Sequence, residues 1–362
     1  MGDTRPNGGD ADLSDLKRLR IVAPDPSFVR SLHRLAFQAM VRLRWGRLVE
    51  PSHRESVAIE EFRARLIDLE KPMLGDEVTD EWGAVTDRIV DLAMTHDPRS
   101  FFGWDVIQRC LGSALNPSDR HFLRALRARP DYRSEWRPFL SSARAGRPAP
   151  FPLAPTTTAA RITQLHHLAV LRDHTGRSIE DFDLVVEFGG GFGGMELLAR
   201  ERGFTGAYVI IDLPVMRSLQ AFYLSLTRPV LITEDVRVLD TTATVTALIG
   251  LHQLAEVAPL LDGAENSLLM GTWSLSESPL PVRSQLYERL PSFSHVLIAC
   301  QRSFSGIDNV TLPVELAQHA DPTMMWHEPA IVRSRRDKVD PESRYAIGHR
   351  PPPSRTNPPL NR

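Results

Sequence analysis

The segment Val185 to Gly194, VVEFGGGFGG, is where residue type and spacing speak most directly of chemistry. An apolar run ends in a glycine-rich turn that leads into a helix opening at Met195. Glycines let a backbone approach a ligand closely and adopt conformations closed to other residues. The helix N-terminus adds N–H groups at the same spot. Glu187 stands two residues before Gly189, at a predicted strand end, where a carboxylate can hold an ammonium group. Asp212 ends the next predicted strand, where an acid can accept hydrogen bonds from both hydroxyls of a ribose. Gly189, Gly191 and Gly194 also satisfy the dinucleotide fingerprint G-x-G-x-x-G, but a pyrophosphate beside Glu187 would be repelled. Glu187, Gly189, Gly191, Gly193, Asp212 and Leu213 therefore read as a site for S-adenosyl-L-methionine. Two readings of other classes compete with it: an NAD-dependent oxidoreductase, and a non-catalytic protein acting through its helical half. Retention of both acids argues against a decayed site.

A sulfonium is already a strong methyl donor, so a protein using one mainly aligns donor and acceptor and takes up a proton. For a hydroxyl acceptor the expected base is a positioned histidine or carboxylate. Ligands of open α/β sheets sit beyond the carboxyl ends of the strands, which brings the residues after SLLMGT (267–272) near the reacting methyl group. Glu277 is the first candidate there, with Trp273 and Ser276 shaping the pocket. His166 and His167 follow, on the helix that should lie across the cofactor, whereas His295, His327 and His349 are weaker candidates. Glu234 and Asp235 end the segment PVLITE and its following residue, and Asp235 is assigned to the adenine amino group. The Asp235–Asp240 pair reads as a solvated loop; with no tight cluster of acids and histidines, no metal is expected.

These residues need a scaffold. Strand-like runs at 183–188, 207–212, 229–234, 267–272 and 295–300 alternate with predicted helices at 194–202, 215–226, 243–258 and 282–290. Such alternation means a parallel sheet covered on both faces. Segments at 324–327 and 345–349 are read as a closing pair of strands. Before residue 150 the pattern is helical. Leu32, Leu35, Ala36, Ala39 and Leu43 repeat at helical spacing, as do Val57, Ile59, Phe62, Leu66 and Leu69. Further helices are expected near 85–94 and 121–129. The proline-rich stretch at 147–155 marks a boundary, and Thr156 to Thr158 suit the cap of a helix over 159–173. The expected organisation is a helical domain over 1–150, a cofactor-binding domain over 151–350 and a disordered tail over 351–362. The helical domain reads as a lid over the acceptor pocket or as a homodimer contact.

Bulk composition narrows the partners. Lys and Arg number 43 against 45 Asp and Glu, a net charge of −2 in 362 residues, which calls for neither nucleic acid nor an anionic membrane. Lysine occurs only at Lys17, Lys71 and Lys338, so the arginine excess is a bias of composition rather than of site design. Cys110 and Cys300 are too far apart for a disulfide framework or zinc motif. The start is polar and acidic rather than signal-like, and no apolar run spans a bilayer. A cytoplasmic protein with a small-molecule acceptor is expected.

DLVVEFGGGFGG and YVIIDLP, with Leu219, Gln220 and Tyr223 in the helix that follows, resemble the sugar O-methyltransferase family of bacterial gene clusters. RITQLHHLAVL (161–171), TWSLSESPL (272–280) and RYAIGHR (344–350) extend the resemblance across about 156–350. It implies a Rossmann-like class I methyltransferase sheet of seven strands, the last antiparallel, and transfer of a methyl group from S-adenosylmethionine to a sugar hydroxyl. Within the same chemistry the acceptor could be an amine, carboxylate or phenol of another secondary metabolite. The chain departs from the family pattern at His166 and His167, where aromatic residues are expected.

Overall fold

The apolar runs of the second half pair into one mixed sheet whose central strands are buried on both faces. The computed structural model describes residues 26–69, 78–111, 117–228, 231–239, 244–331 and 343–351. The polar start, Asp240 and the tail from 352 lie outside the described residues. The strands are β1 (Leu184–Phe188), β2 (Ala207–Ile211), β3 (Leu231–Thr233), β4 (Val245–Ile249), β5 (Ser267–Thr272), β6 (His295–Cys300), β7 (Ser303–Phe304), β8 (Ile307–Asp308), β9 (Met325–His327) and β10 (Arg344–His349). Eight of them form one sheet in the order β3-β4-β2-β1-β5-β6-β10-β9, and β7 and β8 make a separate hairpin. Every pairing in the large sheet is parallel except those of β10, which runs against both β6 and β9.

The helices are α1 (Pro26–Trp45), α2 (His53–Ile67), α3 (Asp80–Thr95), α4 (Asp105–Cys110), α5 (Pro117–Arg127), α6 (Ala159–Thr175), α7 (Gly194–Glu201), α8 (Pro214–Thr227), α9 (Ala258–Gly263), α10 (Leu280–Tyr287) and α11 (Leu312–His319). No described helix is long and apolar enough to cross a membrane.

Alternate residues of each strand feed two cores. Val185, Tyr208, Ile210, Met270 and Leu297 face α6 and α7 through Leu165, Leu168, Met195 and Leu198. Val186, Val209, Ile211, Leu269 and Ile298 face the opposite layer through Val282, Leu286, Leu312 and Leu316. A strand covered on both sides has no polar face, which is why these segments read as unbroken apolar runs. This is a Rossmann-like α/β fold.

Two expectations are corrected. The segment predicted as a helix over 243–258 instead enters β4, fully buried between β2 and the edge strand β3, and becomes helical only after Gly250. Val245, Thr246 and Ile249 are β-branched, and burial on both faces removes the alternation that would have marked a strand. The sheet consequently has eight strands rather than the seven implied by the resemblance. On α1 the inward face also differs: Leu35 and Leu43 are exposed, while Phe37, Met40 and Trp45 pack around Val41 and Ala149. Aromatic rings bury more area per residue than the expected leucine stripe, and the Trp45 indole N–H donates to Pro148 O at 2.8 Å.

The helices before the sheet dock on α8. Phe62 of α2 stacks on Phe222 at 4.8 Å between ring centroids. Phe102 and Phe192 meet edge-on at 4.9 Å, and Phe192 meets Tyr223 at 5.0 Å. Caps hold the ends: Ser52 and Glu55 form a capping box on α2, and Thr158 caps α6. Asp97, Glu55 and the Val49 carbonyl gather around the buried Arg99 between α2 and α4.

Candidate active site

β1 delivers Glu187 to the sheet's carboxyl-end edge, in register with Ile210 of β2 and Met270 of β5. The chain then turns sharply. Gly189 has φ +73°, and a Cβ there would lie 2.2 Å from Ser274 Cβ, so glycine alone fits. Ser274 Oγ donates to Phe188 O, clipping this turn to the loop after β5. Gly190 passes directly over the acid, its notional Cβ 3.3 Å from Glu187 Oε2 and 2.6 Å from Ile210 Cγ2. Gly193 takes φ +85° to start α7.

Two acids face the turn. Glu187 is buried and accepts a hydrogen bond from the Tyr208 hydroxyl at 2.8 Å. Burial, and secondarily Asp212 and Glu196, push its carboxyl up to about 8 against the Tyr208 bond. Asp212 follows β2 and accepts from Leu213 N at 2.8 Å and Gln220 Nε2 at 2.6 Å. Burial pushes it up to about 7 despite those bonds and Arg217. Gln220 also donates to Gly191 O at 3.0 Å, joining the turn to the second acid. Nearby Glu196 differs: it is ion-paired to Arg200 and Arg228 and accepts from Thr246 Oγ1 at 2.7 Å, tying α7 to β4. Glu187 and Asp212 make no ion pair of that kind among the described residues.

Beside them opens a cavity of about 1140 Å³. One wall is the glycine turn with Asp212 and Leu213; another is Gly250 to His252 after β4; a third is Trp273 to Ser278 after β5; and α2, α3, α4 and α6 close the space. Glu277 lies on the third wall, accepting from Trp82 Nε1 at 3.1 Å and from Gln301 Nε2 at 3.3 Å. Burial pushes its carboxyl up to about 7, against those two bonds. Trp273 adopts φ +79°, a conformation costly for a bulky side chain. Its loop is pinned from behind by the buried Arg283, which donates to Ser278 O at 2.9 Å, Ser276 O at 3.3 Å and Asn309 Oδ1 at 2.5 Å.

The structure brings Glu187, Gly189, Gly191, Asp212, Leu213, His167 and Glu277 to this one cavity. Gly193 does not line it; a Cβ there would meet Leu224 at 3.4 Å. His166 is half-buried and stacks on Phe122, with ring centroids 4.3 Å apart, and also stands off the cavity. Asp235 is not brought in: it caps a short helical turn and pairs with Arg237 at 2.8 Å on the surface. The segment that lines the cavity is instead Gly250 to His252, at the end of β4, which the sequence pattern predicts as helix. His327 and His349 face each other, Nε2 to Nε2 at 3.3 Å, and His295 opens β6 beside Ser294; none of the three lines the cavity. Among the described residues no group of three or more His, Cys, Asp or Glu is placed to hold a metal.

Gly190, Tyr208, Trp82, Gln301 and Tyr345 escaped the sequence reading. Gly190, Tyr208 and Tyr345 lay within segments that carry the resemblance, but their contacts, like those of Trp82 and Gln301, are set by pairing across the fold.

No family model matches the chain, and no curated protein matches it. Solved structures do. The PH0226 protein from Pyrococcus horikoshii OT3 is 10% identical over 53% of this chain and 92% of its own, with a TM-score of 0.33. PigF with SAH is 11% identical over 88% and 99%, with a TM-score of 0.30. The mitomycin 7-O-methyltransferase MmcR is 11% identical over 90% and 100%, with a TM-score of 0.27. At these scores the likeness does not bear on the chemistry of this site.

Proposed function

We propose that the chain is an S-adenosylmethionine-dependent O-methyltransferase acting on a sugar or a glycosylated natural product. One observation carries the reading. Two neighbouring acids at the carboxyl ends of β1 and β2 flank a glycine turn, without an ion-pair partner among the described residues, and burial lifts both towards neutrality. A ligand bearing a cation and a ribose diol would settle both charges. Glu187 would hold the ammonium, Asp212 the ribose hydroxyls, and Gly250 to His252 would border the adenine. The donor set fits this group and repels a pyrophosphate. Bound there, it supplies an electrophilic methyl carbon.

The protein's own share is alignment, exclusion of water and proton uptake. A cavity of about 1140 Å³ has room for a cofactor and an acceptor together. Trp82 and Trp273 offer flat apolar faces beside Glu277 and Gln301, a combination suited to the alternating C–H and hydroxyl surfaces of a sugar. Glu277 and His167 line the acceptor side and are candidates to accept a hydroxyl proton. Calorimetric titration with S-adenosylhomocysteine tests the proposal, with Glu187→Ala, Asp212→Ala and an NADH control. Micromolar binding weakened by both substitutions supports it. A folded sample that ignores S-adenosylhomocysteine, or one that takes NADH instead, would sink it.

A further inference from the structure

We infer that a second cavity, between the C-terminal half of α1 and the stretch leading into α4, is a binding site for a doubly charged phosphate group. It stands apart from the methyl-transfer reading and does not depend on it. The cavity has a volume of about 600 Å³. Arg42, Arg47, Arg147 and His96 line it together with Phe37 and Trp104, and no described carboxylate does. The larger cavity has the opposite character, with Glu187, Asp212 and Glu277 in its walls. The frame of the smaller one is tied down. Arg44 donates to Thr156 O at 2.7 Å, the Trp45 indole to Pro148 O at 2.8 Å and Arg144 to Trp45 O at 3.3 Å, which fixes the end of α1 against residues 144–157.

Arg147 is the residue out of place. It is only 7% exposed, and a guanidinium that deep is ordinarily paired with a carboxylate. Buried Arg99, Arg161 and Arg202 obey that rule, on Asp97, Glu201 and Glu180. Arg147 makes no ion pair among the described residues; one bond joins its Nη2 to Gly46 O. Asp97 acts on it only at a distance, being held by Arg99 at 2.6 Å. Burial, with Arg144 and Arg99, pulls the Arg147 guanidinium below the ordinary arginine value. Its unbonded nitrogens are not sealed in protein, so they open on the cavity that the residue lines. The backbone adds a second cost, since φ is +53°, in the left-handed region that glycine enters freely. A glycine there would carry neither cost, so an occupant of the cavity has to offset both. Arg42 and Arg47 are exposed at its mouth, and neither side chain is ion-paired among the described residues. Three cations around one recess match the double charge of a phosphate better than the single charge of a carboxylate. The guanidinium fork suits phosphate oxygens. Phe37 and Trp104 add an apolar wall, which favours a phosphate carried on a small organic body.

Phenyl phosphate, inorganic phosphate and benzoate, each titrated calorimetrically into the full chain at constant ionic strength, test the site. At about pH 7.5 a phosphate monoester is doubly charged. Phenyl phosphate should bind saturably and more tightly than benzoate. Inorganic phosphate of equal affinity supports a site for the free ion; tighter binding of phenyl phosphate supports an organic phosphate. Arg147→Gln should weaken phenyl phosphate about tenfold or more, as loss of a charged hydrogen-bond donor implies. Arg42→Gln and Arg47→Gln, both at exposed positions, should each weaken it by a factor of about two to five. Those two variants decide the matter if Arg147→Gln does not fold. Spectra of the chain labelled with ¹⁵N-histidine locate the anion. The His96 signals, assigned with His96→Gln, should shift, while those of His167 and His252 in the larger cavity stay still. The inference is overturned by the absence of saturable binding, by benzoate binding as tightly as phenyl phosphate, or by affinity unchanged in the arginine variants. Shifts at His167 or His252 in place of His96 overturn it too.

Discussion

Glu187 and Asp212 sit in the folded chain with carboxyl groups pushed up to about 8 and about 7. A raised carboxyl favours the protonated fold. The stability it contributes is complete below its ordinary values of 4.5 and 3.8 and is lost as pH rises through about 8 and about 7. The melting temperature of the ligand-free chain should therefore fall between about pH 5 and pH 9, and Glu187→Gln should flatten the upper part of that fall. Cofactor binding runs the other way. An ammonium needs the ionised acid, so binding of S-adenosylhomocysteine should release protons and tighten towards pH 8, as calorimetry in buffers of different ionisation enthalpy would show. Gly189→Ala should abolish that binding, because its Cβ would collide with Ser274 at 2.2 Å from a left-handed backbone. Both acids were legible in the sequence because each stands at a strand end beside a recognisable turn. Tyr208 and Gln220 were not legible as their partners, since nothing local says which polar side chain will reach across to a buried acid.

At the scale of elements, α3 carries Trp82 to Glu277 and α2 carries Phe62 to Phe222. Trp82 holds Glu277 down against the burial that lifts it to about 7, so Trp82→Phe should raise that carboxyl further. Intrinsic fluorescence followed through neutral pH should show a step in the wild-type chain that shifts or vanishes in Trp82→Phe and Glu277→Gln. Phe62→Ala should cost about 3–5 kcal/mol in urea unfolding, the usual penalty for emptying a buried aromatic site. Most elements could be read from periodicity, β5 and β6 to the residue. β4 could not: TVTALIG is short, apolar and buried on both faces, where helix and strand patterns coincide. That one misreading set the expected adenine contact at Asp235, whereas the segment that lines the cavity is Gly250 to His252. An element error became a site error.

The whole molecule is a sheet whose carboxyl-end edge is roofed by helices from the other half of the chain, and neither half encloses the cavity alone. Cys110 at the end of α4 is exposed and lines this space, while Cys300 is buried in β6. Partial desolvation of the thiol at the cavity wall, and secondarily Glu277, push Cys110 up to about 11, so a maleimide should label one site per chain, slowly at neutral pH and faster as pH rises. Filling the cavity with S-adenosylhomocysteine and an acceptor should slow labelling further; a rate indifferent to ligands would mean that α4 does not face the acceptor. The sequence announced two regions of different texture but not their meeting, because Phe192, inside the glycine motif, reads as a turn residue rather than as an anchor. Its ring joins Phe102 and Tyr223 and so ties the roof to the glycine turn. The roof thus divides its labour: α2 and the stretch before α4 anchor it, while α3 presents Trp82, Thr86, Asp87 and Val90 to the cavity. If the proposed function holds, Thr86, Asp87 and Val90 on that face form a cassette to exchange for new acceptors, while Trp82, the anchors and both acids stay untouched.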